Sequence, residues 1–174
     1  MRRVDEQVGR LLSIFPDDVS ILLTGDHGEE FGTHNKFHTA SPYNTMAWVP
    51  MILSSPKLSP DTSDLPVTHV DIAPTLAELA GLDNSPSSWD GESMLSHKSD
   101  ERTVYVGFET SKYVWGASID PPWKLVCKRE PEEESKLLVN FNRDSKELKD
   151  FTDENPHIFS DFSDSWDRHF ENLM

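Results

Sequence analysis

Basic residues are scarce in this sequence: 16 Lys and Arg stand against 31 Asp and Glu, a formal net charge of −15 over 174 residues. A protein that grips nucleic acid or an anionic membrane needs clustered Lys and Arg to displace counterions from phosphates, so neither is expected as a partner. Positive charge is expected only locally, as a bound metal inside an acidic shell. An acid excess of this size also fits a surface suited to high salt. Cysteine is nearly absent, and Cys127, standing alone, has no partner for an internal disulfide. Long apolar runs are missing too: the best, residues 48–53, is interrupted by Pro50 and is far short of a membrane span. The opening Met1-Arg2-Arg3-Val4-Asp5 leads into a charged helical pattern and has no apolar signal-peptide core. As written, the sequence reads as a soluble, cytoplasmic chain, without repeats or low-complexity tracts.

What is present is α/β patterning. Val4, Val8, Leu11, Leu12 and Phe15 recur at helical spacing, and Pro16-Asp17-Asp18 stops that helix. The apolar, partly β-branched run 19–24 follows as a strand, expected to be a parallel one in an α/β sheet. A second core strand is expected over 48–53, and a Pro/Ser-rich loop over 54–65. Asp71 is read as the N-cap of a helix with Pro74 in its first turn, Ile72, Leu76 and Leu79 facing inward and Gly81 at its end. A turn is expected at Asp90-Gly91 and a third strand over 103–108. Asp120-Pro121-Pro122 suggests a boundary that divides the chain into residues 1–118 and a small α+β subdomain, residues 119–174. In the latter, 123–127 and 137–141 form a hairpin around a charged tip, and Ile158, Phe162, Trp166 and Phe170 line a closing helix.

The chemistry concentrates where the first strand ends. Gly25-Asp26-His27-Gly28 places a carboxylate and an imidazole on a glycine-flanked loop, where both can converge on one divalent cation. Two ligands alone do not hold a metal tightly. His34, Lys36 and His38 follow within a dozen residues, with Tyr43 just beyond. Imidazoles and an ammonium beside a metal can bind an oxyanion and protonate a leaving alkoxide, as sulfate- or phosphate-ester hydrolysis requires. The tryptophans Trp89, Trp115, Trp123 and Trp166 are expected in packing, and the run Glu130 to Glu134 as a solvated tip.

These residues carry a resemblance. Leu23-Thr24-Gly25-Asp26-His27-Gly28-Glu29-Glu30, followed at this distance by Val70-Asp71-Ile72-Ala73-Pro74-Thr75, is similar to the carboxyl-terminal part of a sulfatase of the alkaline phosphatase superfamily. The likeness continues through Asp90-Gly91-Glu92-Ser93-Met94-Leu95 and, more weakly, Trp123-Lys124-Leu125-Val126. It implies an alkaline-phosphatase-like α/β sandwich and metal-dependent hydrolysis of sulfate esters by a formylglycine made within a Cys/Ser-x-Pro-x-Arg motif. It assigns Asp26 and His27 as one pair of metal ligands, with Ca²⁺ the expected ion. His38 falls where relatives carry a basic catalytic residue facing the sulfate, and His34 and Lys36 are candidates for substrate binding. The chain departs from the family pattern in having only 25 residues before Asp26 and no nucleophile motif; Cys127, followed by Lys128-Arg129, does not form one. The expectation is a fragment inactive alone, exposing an apolar strand edge and helix faces. Its substrate would be a sulfate-ester small molecule or sulfated glycan. The alternatives are a phosphodiesterase or phosphonate monoester hydrolase of the same superfamily, using Mn²⁺ or Zn²⁺, and a non-catalytic binding remnant.

Overall fold

The computed structural model describes residues 2–34, 40–82, 89–96 and 102–171. Helix α1 (Arg2–Leu12) precedes strand β1 (Ile21–Thr24), a short helix α2 (Asn44–Ala47) and strand β2 (Met51–Ser54). A 3₁₀ turn (His69–Asp71) runs into helix α3 (Ile72–Leu79), and then come β3 (Val104–Glu109), β4 (Val114–Asp120), β5 (Trp123–Arg129), β6 (Glu134–Asn140) and helix α4 (Pro156–Phe170). This is the expected mixture of helices and sheet. Among the described residues no helix is long and apolar enough to cross a membrane.

The direction of the first strand pair differs from expectation. β1 and β2 are antiparallel, with Ile21 opposite Ser54 and Thr24 opposite Met51. Neither strand contains a buried residue, whereas parallel strands are normally covered on both faces. An apolar run of four residues fixes a strand but says nothing about which way its neighbour travels. Helix α1 matches its predicted amphipathic pattern yet buries none of it: Val4 is 66% and Leu11 54% exposed. In α3 the inward residues are Pro74, Thr75, Ala77 and Leu79, so Leu76 turns out to be exposed, and Gly81 ends the helix with φ +72°.

Strands β3 to β6 form a four-stranded antiparallel meander in sequence order. The hairpin expected around the acidic tip is its β5–β6 half, and α4 closes it as the 158/162/166/170 spacing predicts. Strand β4 was not expected, and position 118 falls inside it. Its first five residues are all buried, so no polar alternation marks it, and the Asp-Pro-Pro that follows reads as a boundary. The sheet itself starts at Val104.

Period-2 alternation divides the sheet's side chains between two cores. Val114, Leu125, Cys127 and Leu138 face α4 and meet Trp166 and Phe170. Gly116 permits this contact, since a Cβ there would lie 2.5 Å from the Val106 carbonyl oxygen and 3.0 Å from the Trp166 ring. Trp115, Ala117 and Val126 face the other way and pack with Val106, Phe108 and Tyr43, the residue just before α2. The segment around α2 thus lies on the sheet and joins the β1–β2 region to it. Trp48, which follows α2, is 69% exposed and lies edge-on to Phe141 at 5.7 Å.

Candidate functional site

Strand β1 delivers Asp26 and His27 onto a loop clamped from behind. The Gly28 N–H donates to the Met46 carbonyl at 2.7 Å, and a Cβ at Gly28 would lie 1.9 Å from the Thr45 carbonyl oxygen. Only glycine lets the loop approach α2 this closely. The two functional side chains remain open to solvent, Asp26 at 92% and His27 at 51% of their side-chain surface.

The pair is internally arranged. Asp26 Oδ1 accepts the His27 backbone N–H at 3.0 Å, which holds the Asp26 carboxyl below its ordinary range, with the His27 imidazole adding to the effect. His27 Nδ1 lies 2.7 Å from the Gly28 carbonyl oxygen and donates to it. That bond and the Asp26 carboxylate raise the His27 pKa. Between His27 Nε2 and Asp26 Oδ2 the gap is 3.8 Å, too long for a hydrogen bond.

Both residues line a cleft of about 360 Å³ shared with Ser41, Met46, His69 and Phe108. Strand β3 of the meander forms its far wall, so the site lies where the two sheets meet. His69, in the 3₁₀ turn before α3, reaches this cleft: its Nε2 is 2.9 Å from the Gly25 carbonyl oxygen and 3.4 Å from Thr24 Oγ1. It is 43 residues beyond Asp26, and no local spacing connects the two.

His34 is not among the cleft-lining residues. Its side chain is 9% exposed, its Nδ1 lies 3.2 Å from Glu30 Oε1, and its ring stacks flat on Tyr43 with centroids 3.6 Å apart. Glu30, itself buried, also accepts from Thr45 Oγ1 at 2.5 Å. Burial works to raise the Glu30 pKa, but these two donors outweigh it and the carboxyl is held low. The Glu30–His34 pair is therefore internal bracing for the loop. Lys36 and His38 lie outside the described residues.

Asp71 differs from its reading as a simple helix cap. Its side chain makes no capping bond to α3; instead it closes a capping box with Thr68 one turn earlier and takes a bidentate contact from Arg102, at 2.7 Å on both oxygens. Cys127 is fully buried, and burial pushes its thiol pKa up. Among the described residues, no group of three or more His, Cys, Asp and Glu side chains gathers as a complete metal site would.

Residues 1–82 match the family model for sulfatases. The choline-sulfatase of Rhizobium meliloti is 31% identical over 169 residues, covering 88% of this chain and 31% of that protein. A protein solved in complex with its substrate D-glucosamine-2-N,6-O-disulfate superposes with a TM-score of 0.78 at 21% identity, over 97% of this chain and 38% of its own. The phosphonate monoester hydrolase of Agrobacterium radiobacter has a TM-score of 0.75 at 19% identity, over 94% and 38%. The chain thus spans under two fifths of the length of each of these relatives. The strand-end Asp-His element, the family match over residues 1–82, the choline-sulfatase relative and the shared fold make this chain similar to part of a sulfatase of the alkaline phosphatase superfamily.

Proposed function

We propose that this chain supplies the Asp26–His27 half of a divalent-metal site for the hydrolysis of sulfate esters. The observation that carries this reading is the 3.8 Å gap between His27 Nε2 and Asp26 Oδ2. Two atoms each about 2.0–2.5 Å from a shared cation stand about this far apart. The donor set fits as well: a ligating histidine commonly donates its other ring N–H to a carbonyl, as His27 Nδ1 does to Gly28. Further ligands and the nucleophile have to come from outside the described residues, since the buried Cys127 thiol has neither access nor ionisation in its favour.

When bound, the cation supplies positive charge to orient a sulfate and stabilise the attacking oxygen. The chain's own residues do the remainder. Asp26 and His27 fix the position of that charge at the cleft mouth, Met46 and Phe108 give the cleft an apolar lining, and His38 is proposed to face the ester's leaving oxygen. The choline-sulfatase relative and the neighbour bound to a disulfated glucosamine support a sulfate-ester small molecule or sulfated sugar as substrate.

An imidazole ligand also suits Mn²⁺ or Zn²⁺, which with the phosphonate monoester hydrolase neighbour favours phosphonate or phosphodiester substrates as the second reading. The test is calorimetric titration of the chain, and of Asp26→Asn and His27→Ala variants, with Ca²⁺, Mn²⁺ and Zn²⁺. Weak, Ca²⁺-preferring binding lost in both variants supports the sulfatase reading, and Mn²⁺ or Zn²⁺ preference the second. Binding indifferent to either substitution removes both.

A further inference from the structure

Asp71 is held far more firmly than a helix entry needs. Its fully buried carboxylate accepts the backbone N–H groups of Thr68 at 2.7 Å and Glu92 at 2.9 Å, in addition to the two-pronged contact from Arg102. One or two such bonds suffice for a cap. The segment carrying Glu92 lies directly against the turn, since a Cβ at Gly91 would fall 2.1 Å from the Val70 carbonyl oxygen. Thr75 ties in below, its hydroxyl donating to the Asp71 carbonyl at 2.6 Å and accepting the Met94 N–H at 3.0 Å. All of this bracing converges on residues 68–75, and the one side chain of the turn that leaves it for the cleft is His69.

The His69 imidazole meets the Gly25 carbonyl, one end of the peptide plane whose other end is the Asp26 nitrogen. Two residues further on, the Gly28 N–H is bound by Met46. The Asp26–His27 pair is thus bracketed by two fixed points, one made by His69 and the other by α2. We propose that His69 is a positioning residue: by donating from Nε2 to the Gly25 carbonyl it sets the direction in which Asp26 and His27 present their ligand atoms, and Asp71 with Arg102 is its mount. This rests on the metal-site reading for its purpose but not for its geometry.

The test uses the whole chain with His69→Ala and His69→Gln, whose amide N–H can reach the same carbonyl. Amide hydrogen exchange is read without metal at His27 and Gly28, with the core amides of β4 as a control on folding, and Mn²⁺ affinity is read by calorimetry. Losing one hydrogen bond of this kind is worth about five- to tenfold. The expected result is exchange at His27 and Gly28 faster by about that factor in His69→Ala, Mn²⁺ binding weaker by a similar factor, near-recovery of both in His69→Gln, and unchanged β4 amides. Exchange that stays as in the parent chain overturns the proposal, as does a glutamine variant no better than alanine. Weaker Mn²⁺ binding with unaltered exchange would make His69 a direct ligand and equally overturns it. If the parent chain takes up none of Ca²⁺, Mn²⁺ and Zn²⁺ while His69→Ala still loosens the loop, the positioning role stands and the metal reading falls.

Discussion

Lys124 Nζ lies 2.8 Å from Glu147 Oε1, both side chains closed off from solvent, and the other Glu147 oxygen accepts the Asn44 backbone N–H at 2.6 Å. Lys124 also donates to the Asn44 side-chain oxygen at 2.7 Å. The start of α2, which clamps the Asp26–His27 loop, is thereby fastened to strand β5 of the meander. Burial lowers the Lys124 pKa, opposed by the Glu147 carboxylate beside it.

Removing one partner of this pair should be costly. Lys124→Met strands a buried carboxylate and is expected to lose about 3–5 kcal/mol in urea denaturation. The double variant Lys124→Met/Glu147→Gln, which removes both charges, should recover a clear part of that loss. If the double variant is no better than the single one, the charge pairing is not what the single change removed.

Two glycines should respond in opposite directions to alanine. Gly28→Ala drives a methyl into the Thr45 carbonyl and is expected to cost about 1–3 kcal/mol and to weaken metal binding, because the loop must move off α2. Gly9→Ala, in α1 with nothing within 4 Å of the added carbon, should stabilise by about 0.5–1 kcal/mol. Thermal midpoints of both variants check the pair together, and equal shifts would mean that the close approach at Gly28 relaxes freely.

Acid should loosen the mount of His69 once it protonates Asp71. Burial works to raise the Asp71 pKa, but the Arg102 guanidinium and the Glu92 and Thr68 N–H donors outweigh it, and the carboxyl is held below its ordinary range. A carboxyl depressed in the folded state stabilises the fold above the unfolded-chain value, about 4, and that contribution disappears as pH falls through the lower folded value. Urea midpoints between pH 5 and pH 2 should therefore decline for the parent chain and decline less steeply for Asp71→Asn.

Apolar surface predicts association. Val4, Leu11, Phe15, Leu23 and Ile52 are each more than 40% exposed, across α1, the turn that follows it and the β1–β2 pair. The 174-residue chain is expected to self-associate in light scattering, and Leu11→Glu to shift it toward the monomer. A monodisperse parent monomer at high concentration would contradict this.

How much was legible in the sequence depended on whether the signal was local. Helices α1 and α4 follow from apolar spacing alone, as does the existence of β1 and β2, and the Asp26–His27 pair is contiguous. The direction of β2, the buried first five residues of β4 and the role of Asp71 depend on partners distant in sequence, among them Arg102, 31 residues beyond Asp71. His69 was missed as a cleft residue for the same reason. His34 is the instructive case, because a signal for its pairing existed: Glu30 and His34 are four apart, a spacing that allows the two to meet. Burial of that pair by Tyr43 and Thr45 is what the sequence did not carry.

Trp48 is largely exposed at the downstream end of the clamped loop, while Trp166 on α4 is fully enclosed and Trp115 on β4 nearly so, on opposite faces of the four-stranded sheet. The chain therefore carries its own optical reporters of two regions. Emission from Trp48 should be red-shifted and readily quenched by acrylamide, and emission from the enclosed indoles blue-shifted and protected. A change confined to the quenchable component would register movement beside the Asp26–His27 loop while the sheet beneath stays intact.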